Sequence, residues 1–319
     1  MAFELFTGLA YNHRVSEPFE LPLDACTRYC AVYGYPVKHS ASPAMQNAGM
    51  AALGLNWRYL AFEVHPDNLR AALEGARMMN FIGINLTVPH KLLAADMVDV
   101  LDESARSWGA VNTVRFEGRD AGGTWRPLQA FAQTPREIRT QGFNTDADAI
   151  ARALREDLRL ELTGAKILLL GAGGAGRTAA LKLASERSAE LFLVNRTRSK
   201  AESVAKEIRE RGLGVKLTVG YPPGPVDLVL NATSLGLRPN DPLPFDETRF
   251  ALRQAGAVYD MIYRPAETPL LKAARAAGCR TANGLGMLLY QGAKALELWS
   301  GQTAPVEIMR RALEKNVYG

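Results

Sequence analysis

A glycine-rich loop in the middle of the chain is the clearest chemical feature of the sequence. It reads Gly171-Ala172-Gly173-Gly174-Ala175-Gly176. An apolar stretch over 167–170 precedes it and predicts a strand, and the alanine- and leucine-rich stretch that follows predicts a helix. In this setting the glycines permit a tight turn, let backbone N–H groups approach a pyrophosphate and bring the helix close to the sheet. The helix N-terminus adds positive potential toward the phosphates. The loop therefore predicts a dinucleotide site.

The end of the next predicted strand indicates which dinucleotide binds. An NAD site usually has Asp or Glu at this point, accepting hydrogen bonds from the ribose hydroxyls. This chain has Asn195-Arg196-Thr197-Arg198 instead, with Lys200 close behind. Because a guanidinium pairs with a 2′-phosphate that a carboxylate would repel, the sequence favours NADP over NAD. The alternative is that Arg198 and Lys200 are only the solvated start of a helix, which fits Lys200 better than Arg196.

Small polar residues recur in the first half of the chain, in groups at predicted strand ends. Taken singly, Ser40 fits a turn, Asn85 a strand end and Lys91 an exposed helix position. The groups are His39-Ser40-Ala41-Ser42-Pro43, Gly83-Ile84-Asn85-Leu86-Thr87-Val88-Pro89-His90-Lys91, Gly109-Ala110-Val111-Asn112-Thr113 and Asn144-Thr145-Asp146. Because open α/β sheets bind ligands at strand ends, the four groups together predict a polar binding site.

With these groups, the chain closely resembles the shikimate dehydrogenase family, which includes the shikimate/quinate dehydrogenases. The resemblance extends from about residue 29 to about residue 299 and is interrupted over 117–142. In the second half it rests on the motifs Asn195-Arg196-Thr197, Asn231-Ala232-Thr233-Ser234, Asp260-Met261-Ile262-Tyr263, Thr268-Pro269, Asn283-Gly284-Leu285-Gly286-Met287 and Gln291. So many ordered matches are far more specific than any single motif.

The resemblance implies a two-domain enzyme that interconverts shikimate and 3-dehydroshikimate with NADP. Lys91 resembles the family's catalytic lysine, and Asp146 resembles its partner aspartate. The family's other substrate positions fall on Ser40, Ser42, Asn85, Thr87, Asn112, Tyr263 and Gln291. Its cofactor positions fall on Gly171, Ala172, Gly173, Gly174, Ala175, Asn195, Arg196, Thr197, Arg198, Lys200, Met261, Gly284 and, more weakly, Glu103.

These residue types suit the oxidation of a ring alcohol. Hydride passes to the nicotinamide, so the hydroxyl proton must leave as well. A lysine beside an aspartate can accept or relay that proton and stabilise negative charge on oxygen. Three alternatives stay open: a quinate or dual quinate/shikimate dehydrogenase, a catalytically silent sensor of the same ligand, and an NADP enzyme of another pathway. The presence of both Lys91 and Asp146 argues against the sensor.

Alternating strands and helices must position these residues. Strands are predicted over 29–35, 81–86, 111–116, 166–170, 190–195, 215–219, 226–230 and 257–260. Helices are predicted from Ser42 as N-cap, near Pro66, over 146–160, after the glycine loop, and over 198–211, 284–300 and 304–316. The pattern predicts an α/β fold with a parallel sheet covered on both faces.

The same pattern divides the chain into two α/β domains with a cleft between them. We expect an N-terminal substrate domain over 1–147 plus 283–319 and a Rossmann-type, parallel-sheet NADP domain over 148–282. Residues 1–28 form an expected extension. Residues 117–142 are rich in glycine, proline and charge and lack periodicity, which predicts a long surface insertion.

Two local departures from the family's pattern lie near the predicted site. Ala147 and Ala149 follow Asp146 where the family usually has glycine, and alanine favours helix by about 1 kcal/mol per position. A stiffer hinge is therefore expected. Gln46 stands where the family commonly has histidine, and we expect it to affect the packing of the first helix.

Composition excludes several classes of protein. A net charge of +5, dispersed over 319 residues, argues against nucleic-acid binding. Only Cys26, Cys30 and Cys279 occur, with four histidines, which favours a reducing compartment and argues against a metal site. The chain has no apolar stretch of membrane-spanning length, and Glu4 stands where a signal peptide carries positive charge. We expect a cytoplasmic monomer or homodimer without membrane contact.

Overall fold

The protein contains two β-sheets, formed in turn by the first and second halves of the chain. The structure is a computed structural model and describes residues 23–319. Most of the expected extension over 1–28, including Glu4, lies outside the described residues. Among residues 23–319, no helix combines the length and apolar character that a membrane span requires.

The first sheet is mixed. Its strands are β1 (Arg28–Gly34), β2 (Trp57–Glu63), β3 (Gly83–Leu86), β4 (Val100–Leu101), β5 (Thr113–Arg119), β6 (Trp125–Pro127) and β7 (Ile138–Phe143). Their order is β2-β1-β3-β5-β7-β4, with β6 paired to β5. Because β5 runs antiparallel to β3 and β7, its first residues lie at the same edge as the last residues of β3 and β7. Three of the predicted polar groups therefore meet at one edge.

The second sheet is fully parallel. Its strands are β8 (Lys166–Leu170), β9 (Glu190–Val194), β10 (Lys216–Val219), β11 (Val226–Asn231), β12 (Ala255–Asp260) and β13 (Arg280–Asn283). The order β10-β9-β8-β11-β12-β13 reverses direction between β8 and β11, which is where doubly wound sheets bind nucleotides. This confirms the predicted Rossmann-type sheet.

The apolar run of β8 is explained by its two covered faces. Successive side chains of a strand point to opposite faces. Ile167 and Leu169 belong to one hydrophobic cluster, whereas Leu168 and Leu170 belong to another on the opposite face. All four are fully buried, so only the exposed first position of the strand, Lys166, carries a polar side chain.

Ten helices of four or more residues accompany the sheets within the described part of the chain. They are α1 (Ser42–Ala52), α2 (Leu69–Met78), α3 (His90–Leu93), α4 (Glu103–Trp108), α5 (Asp146–Leu158), α6 (Gly174–Ser185), α7 (Arg198–Glu210), α8 (Pro269–Ala276), α9 (Leu285–Ser300) and α10 (Val306–Tyr318). The predicted stripe Ile150, Leu154 and Leu158 of α5 is buried.

Helices α5 and α9 connect the two halves of the molecule. The largest apolar cluster continues from β1 through these helices to β8, so one core underlies both sheets. Helix α1 packs closely on α9 and α10, because a Cβ at Gly49 would lie 2.8 Å from Leu296 and 3.0 Å from Met309. The domain boundaries predicted from the sequence stay a prediction. Residues 280–283, on either side of the expected boundary at 283, form β13 of the second sheet.

The segment 117–142, expected to be a long surface insertion without periodicity, contains strands, and its status as an insertion stays a prediction. This segment contains the end of β5, all of β6 and most of β7, and β7 lies inside the first sheet. Its charges, which suggested a loop, pair across strands. The buried carboxylate of Glu117 forms an ion pair with Arg115 of its own strand. It forms a second ion pair with Arg139 of β7, at 2.8 Å. Charged side chains that neutralise one another between strands leave no apolar alternation for sequence reasoning to detect.

Two further differences concern single elements. Ser42 is the first residue of α1 rather than its N-cap, and the cap position Ala41 makes no side-chain hydrogen bond. The hydroxyl of Ser42 is therefore not used to cap the helix. Strands β2, β4 and β13 and helices α4 and α8 were not among the predicted elements. Each is short or carries exposed positions that weaken its period.

Candidate active site

A cavity of about 320 Å³ lies between the two sheets and collects most of the predicted site residues. The predicted residues that line it are Ser40, Ser42, Asn85, Thr87, Lys91, Asp146, Ala175, Met261, Tyr263, Gly284 and Gln291. Both halves of the chain contribute. The walls thus combine hydroxyls, amides, one lysine and one carboxylate around a space suited to a small molecule.

Lys91 and Asp146 form an ion pair in this cavity. The Nζ atom of Lys91 lies 2.6 Å from Oδ2 of Asp146, and the two side chains are 32% and 12% exposed. Lys91 lies in the short helix α3, and Asp146 is the first residue of α5, where the helix N-terminus favours a negative charge. His90, directly before Lys91, is fully buried, and burial lowers its pKa. The lysine therefore has an uncharged neighbour.

The second carboxylate oxygen of Asp146 is held by a hydrogen bond from Asn112. Asn112 donates from Nδ2 to Oδ1 of Asp146 at 2.9 Å, and its own Oδ1 accepts from the backbone N–H of Thr145 at 2.7 Å. Asn144 Oδ1 accepts from the backbone N–H groups of Asp146 and Ala147 at 3.1 and 3.2 Å. Asn112 is 1% exposed and does not line the cavity, unlike the other predicted substrate positions.

Tyr263 and Gln291 reach the cavity from the second half of the chain. Burial raises the pKa of Tyr263, which keeps its hydroxyl protonated and able to donate. Gln291 lies on α9 and donates from Nε2 to the carbonyl of Leu288 at 2.8 Å. Its Oε1 therefore remains as an acceptor.

Several cavity residues were missed by sequence reasoning. They are Val32, Val37, His39, Leu86, Met287 and Leu288. Most are apolar, so their types give no chemical signal. Their positions do: His39 precedes Ser40, Leu86 lies between two predicted residues, and Met287 and Leu288 lie one helical turn before Gln291.

The glycine loop has the geometry of a phosphate-binding turn. Gly171 has a φ of +108°, and a Cβ there would lie 2.9 Å from the carbonyl oxygen of Ala232. A Cβ at Gly176 would lie 2.2 Å from the Gly171 carbonyl oxygen, so glycine alone permits this approach of helix to strand. At Gly173 and Gly174 a Cβ would meet nothing within 4 Å. The outer face of the loop is thus open to a ligand at the N-terminus of α6.

The predicted phosphate-binding basic residues lie beside this loop. Asn195 accepts from the backbone N–H of Ala172 at 3.0 Å and so ties the end of β9 to the loop. Arg196, Thr197 and Lys200 are exposed. Arg198 pairs with Glu202 of its own helix at 2.8 Å.

The remaining predicted cofactor positions divide into two cases. Met261 and Gly284 line the cavity, and a Cβ at Gly284 would lie 2.0 Å from the Met261 carbonyl oxygen. Glu103 is exposed at the start of α4 and does not line the cavity.

Comparison with known proteins agrees, over most of the chain, with the family resemblance seen in the sequence. Residues 32–114 match the shikimate dehydrogenase substrate binding domain, residues 153–218 the shikimate / quinate 5-dehydrogenase family and residues 284–314 the shikimate 5′-dehydrogenase C-terminal domain. The shikimate dehydrogenase (NADP(+)) of Methanopyrus kandleri is 40% identical over 299 residues, covering 91% of this chain and 96% of that protein. The chain belongs to the shikimate dehydrogenase family.

Solved structures of shikimate dehydrogenases share the fold. One in complex with NADP+ is 35% identical, has a TM-score of 0.79 and covers 93% of this chain and 98% of its own. The shikimate 5-dehydrogenase of Thermus thermophilus, in complex with NADP(H) and shikimate, is 34% identical and has a TM-score of 0.75. The match covers 91% of this chain and 99% of that one. The α/β fold with its two predicted parts is confirmed.

The departures of this shikimate dehydrogenase family member have local explanations. Ala147 and Ala149 are 0% and 3% exposed within the first turns of α5, where alanine suits the helical backbone. Gln46 is fully buried and donates from Nε2 to the carbonyl of Gly292 at 2.9 Å. It therefore connects α1 to α9, the helix that carries Gln291.

Proposed function

We propose that this protein catalyses the reversible, NADP-dependent reduction of 3-dehydroshikimate to shikimate, a step in the biosynthesis of aromatic amino acids. The observation that carries the proposal is the Lys91–Asp146 pair, 2.6 Å apart in a cavity that both halves of the chain line. The protein belongs to the shikimate dehydrogenase family and is 40% identical to a shikimate dehydrogenase (NADP(+)), and both facts support the same assignment.

Lys91 and Asp146 are the proposed catalytic residues. During reduction, the carbonyl carbon gains hydride and the carbonyl oxygen gains a proton, so the ketone becomes an alcohol. The ammonium of Lys91 is suited to stabilise the negative charge that develops on oxygen and to donate that proton. In the oxidation direction the pair takes the hydroxyl proton. Asp146, held by Asn112 at 2.9 Å, keeps the amine in place.

Hydroxyl and amide groups around the pair are the proposed substrate contacts. Ser40, Ser42, Asn85, Thr87, Tyr263 and Gln291 all line the cavity. A ring acid with several hydroxyls needs this mixture of donors and acceptors, and its analogues are rejected when such groups stay unpaired. Asn112 was expected to contact the substrate too, and we propose that it acts mainly through Asp146.

The glycine loop and the basic residues beside it would hold NADP, which supplies the hydride donor and acceptor when bound. The open face at Gly173 and Gly174 and the N-terminus of α6 fit a pyrophosphate. We propose that Arg196 and Lys200 hold the 2′-phosphate, because both are exposed and Arg198 is paired within its helix. The other proposed cofactor contacts include Ala172, Ala175, Met261 and Gly284.

The test is a spectrophotometric assay with shikimate and quinate, each combined with NADP and NAD. We expect the highest kcat/KM with shikimate and NADP. Higher kcat/KM with quinate would support a quinate or dual enzyme instead, and preference for NAD would overturn the cofactor assignment. Binding of shikimate without turnover in any combination would support the silent sensor.

We propose a cytoplasmic location and a monomeric or homodimeric state. The three cysteines, Cys26, Cys30 and Cys279, are all free, and Cys30 and Cys279 are buried, which fits a reducing compartment. Light scattering coupled to size-exclusion chromatography gives the mass in solution. A mass above that of two chains would contradict the proposed state, and recovery of activity outside the cytoplasmic fraction would contradict the location.

A further inference from the structure

Tyr59 is a buried tyrosine of β2 that does not line the cavity but touches a residue that does. It is 1% exposed, and its hydroxyl lies 2.7 Å from Oδ1 of Asn85. Tyr59 therefore contacts one of the residues proposed to bind substrate.

The direction of the hydrogen bonds around Asn85 is fully determined. Its Nδ2 lies 3.2 Å from the backbone carbonyl oxygen of Asn112, and that oxygen can only accept. The atom facing Asn112 must therefore be the amide nitrogen, which places Oδ1 toward Tyr59. Because Oδ1 cannot donate, the Tyr59 hydroxyl must donate to it. Burial raises the pKa of Tyr59 well above its ordinary value, so the hydroxyl keeps its proton.

The donor capacity of Asn85 is exhausted by these contacts. An asparagine amide has two N–H donors, and those of Asn85 are directed at the Asn112 carbonyl and at Oγ1 of Thr113, which lies 3.0 Å away. Oδ1 has two lone pairs, of which Tyr59 uses one. The group that Asn85 retains for a ligand is the second lone pair, so it can accept a hydrogen bond but cannot donate one.

Tyr59 is held in place independently of its hydroxyl. Asn47 of α1 accepts from the backbone N–H of Tyr59 and donates to its carbonyl, each at 2.9 Å. The ring packs on Trp299 with centroids 6.1 Å apart, and Trp299 donates from Nε1 to the carbonyl of Val114 at 3.0 Å. Phenylalanine at this position would keep these contacts and lose only the hydroxyl.

We propose that Tyr59 is a positioning residue that holds Asn85 as an acceptor-only contact, so that this point of the cavity selects a hydroxyl of the substrate. The proposal rests on the proposed function, in which Asn85 is one of the substrate contacts, and it assigns to Asn85 a ring hydroxyl that does not react. An acceptor there would favour a hydroxyl and disfavour a carboxylate or carbonyl at the same point. Tyr59 would thus contribute to substrate selection from outside the cavity.

The first test is Tyr59→Phe. Because a non-reacting hydroxyl is bound alike in the ground and transition states, we expect KM for shikimate to rise about 3- to 10-fold. We expect kcat to stay within about twofold. Tyr259→Phe is the matched control, because Tyr259 is fully buried in β12 of the other sheet and its hydroxyl forms no side-chain hydrogen bond. It should change neither constant.

A double-mutant cycle separates positioning of Asn85 from effects of Tyr59 that do not pass through Asn85. In an Asn85→Ala background, Tyr59→Phe should not raise KM further, whereas an effect on the cavity that does not pass through Asn85 would raise it equally in both backgrounds. Asn85→Ser replaces Asn85→Ala if the latter does not fold, as judged by its thermal midpoint. An unchanged KM in Tyr59→Phe, equal effects in both backgrounds, or a fall in kcat would each overturn the proposal. Absence of turnover in the wild type would instead count against the proposed function.

Discussion

Arg177 and Glu207 form a two-point ion pair beside the glycine loop, with N–O distances of 2.7 and 2.6 Å. The third nitrogen of the guanidinium donates to the carbonyl of Trp108 at 3.0 Å, at the end of α4 in the other half of the molecule. Arg211 also pairs with Glu207 and donates to the carbonyl of Ser107. The carboxylate of Glu207 therefore orients two arginines, which connect α6 and α7 to α4 in the first half of the chain.

Glu207→Gln tests this connection through pH. Burial opposes ionisation of Glu207, but hydrogen bonds and charge from Arg177 and Arg211 outweigh it and hold its pKa below the ordinary value of 4.5. A lowered pKa in the folded state adds stability that is complete above the unfolded pKa and lost as pH falls through the folded pKa. We expect the wild type to exceed Glu207→Gln by about 1 kcal/mol in free energy of unfolding at pH 7. Denaturant unfolding should show the difference shrink as pH falls below about 4.3, the unfolded pKa of a glutamate, and vanish once pH is below the folded pKa. A pH-independent difference would contradict this expectation.

Replacement of Lys91 should abolish most of the turnover. In Lys91→Ala the developing charge on oxygen loses its ammonium and its proton donor, so we expect kcat to fall at least 100-fold, in the range of about 10²–10⁴ for general acid–base groups. KM should change less. Lys294→Ala is the control, since that lysine is 55% exposed on α9. Steady-state kinetics measures both, and a kcat within about tenfold of wild type would remove Lys91 from its role.

Asp146→Asn should resemble Lys91→Ala, because the two side chains act as one unit at 2.6 Å. The asparagine keeps a hydrogen-bond acceptor but loses the charge that holds the ammonium. We expect the double variant to be no slower than the slower single variant, since groups that act together have non-additive effects. A double variant whose loss equals the product of the two single losses would show that the residues act separately.

Gly173→Ala should weaken cofactor binding without unfolding the protein. A Cβ at Gly173 would have no protein atom within 4 Å, and the extended backbone, with a φ of −77°, accommodates alanine. The same Cβ would stand in the space proposed for the pyrophosphate, so Kd for NADP should rise about tenfold or more. Gly224→Ala, also in open space, should leave Kd unchanged. Calorimetric titration and thermal midpoints report the two effects, and an unchanged Kd in Gly173→Ala would contradict the proposed phosphate site.

Arg196→Ala should lower selectivity for NADP over NAD. Charge-assisted hydrogen bonds to phosphate contribute about 1.5–3 kcal/mol, so kcat/KM for NADP should fall about 10- to 100-fold while that for NAD stays level. Arg198→Ala should have a smaller effect, because Arg198 already pairs with Glu202 at 2.8 Å. Equal losses with both cofactors would show that Arg196 does not distinguish them.

The sequence by itself determined the features that depend on neighbours along the chain. The strand over Lys166–Leu170, the glycine turn and the helix after it were predicted because apolar runs and glycine spacing are local signals. The same holds for the buried stripe of α5. These local units also identified the family and most of the residues that line the cavity.

Only the tertiary structure decided how distant residues meet. Lys91 and Asp146 are 55 positions apart, and their 2.6 Å contact depends on the antiparallel β5, which returns the chain to the edge where β3 ends. Tyr59 resembles any half-buried strand tyrosine until β2 and β3 flank β1 and bring its hydroxyl to Asn85. Strand β7 was hidden because the charge of Arg139 is neutralised by Glu117 on the neighbouring strand. Such pairings depend on spatial register, which spacing along a single chain does not contain.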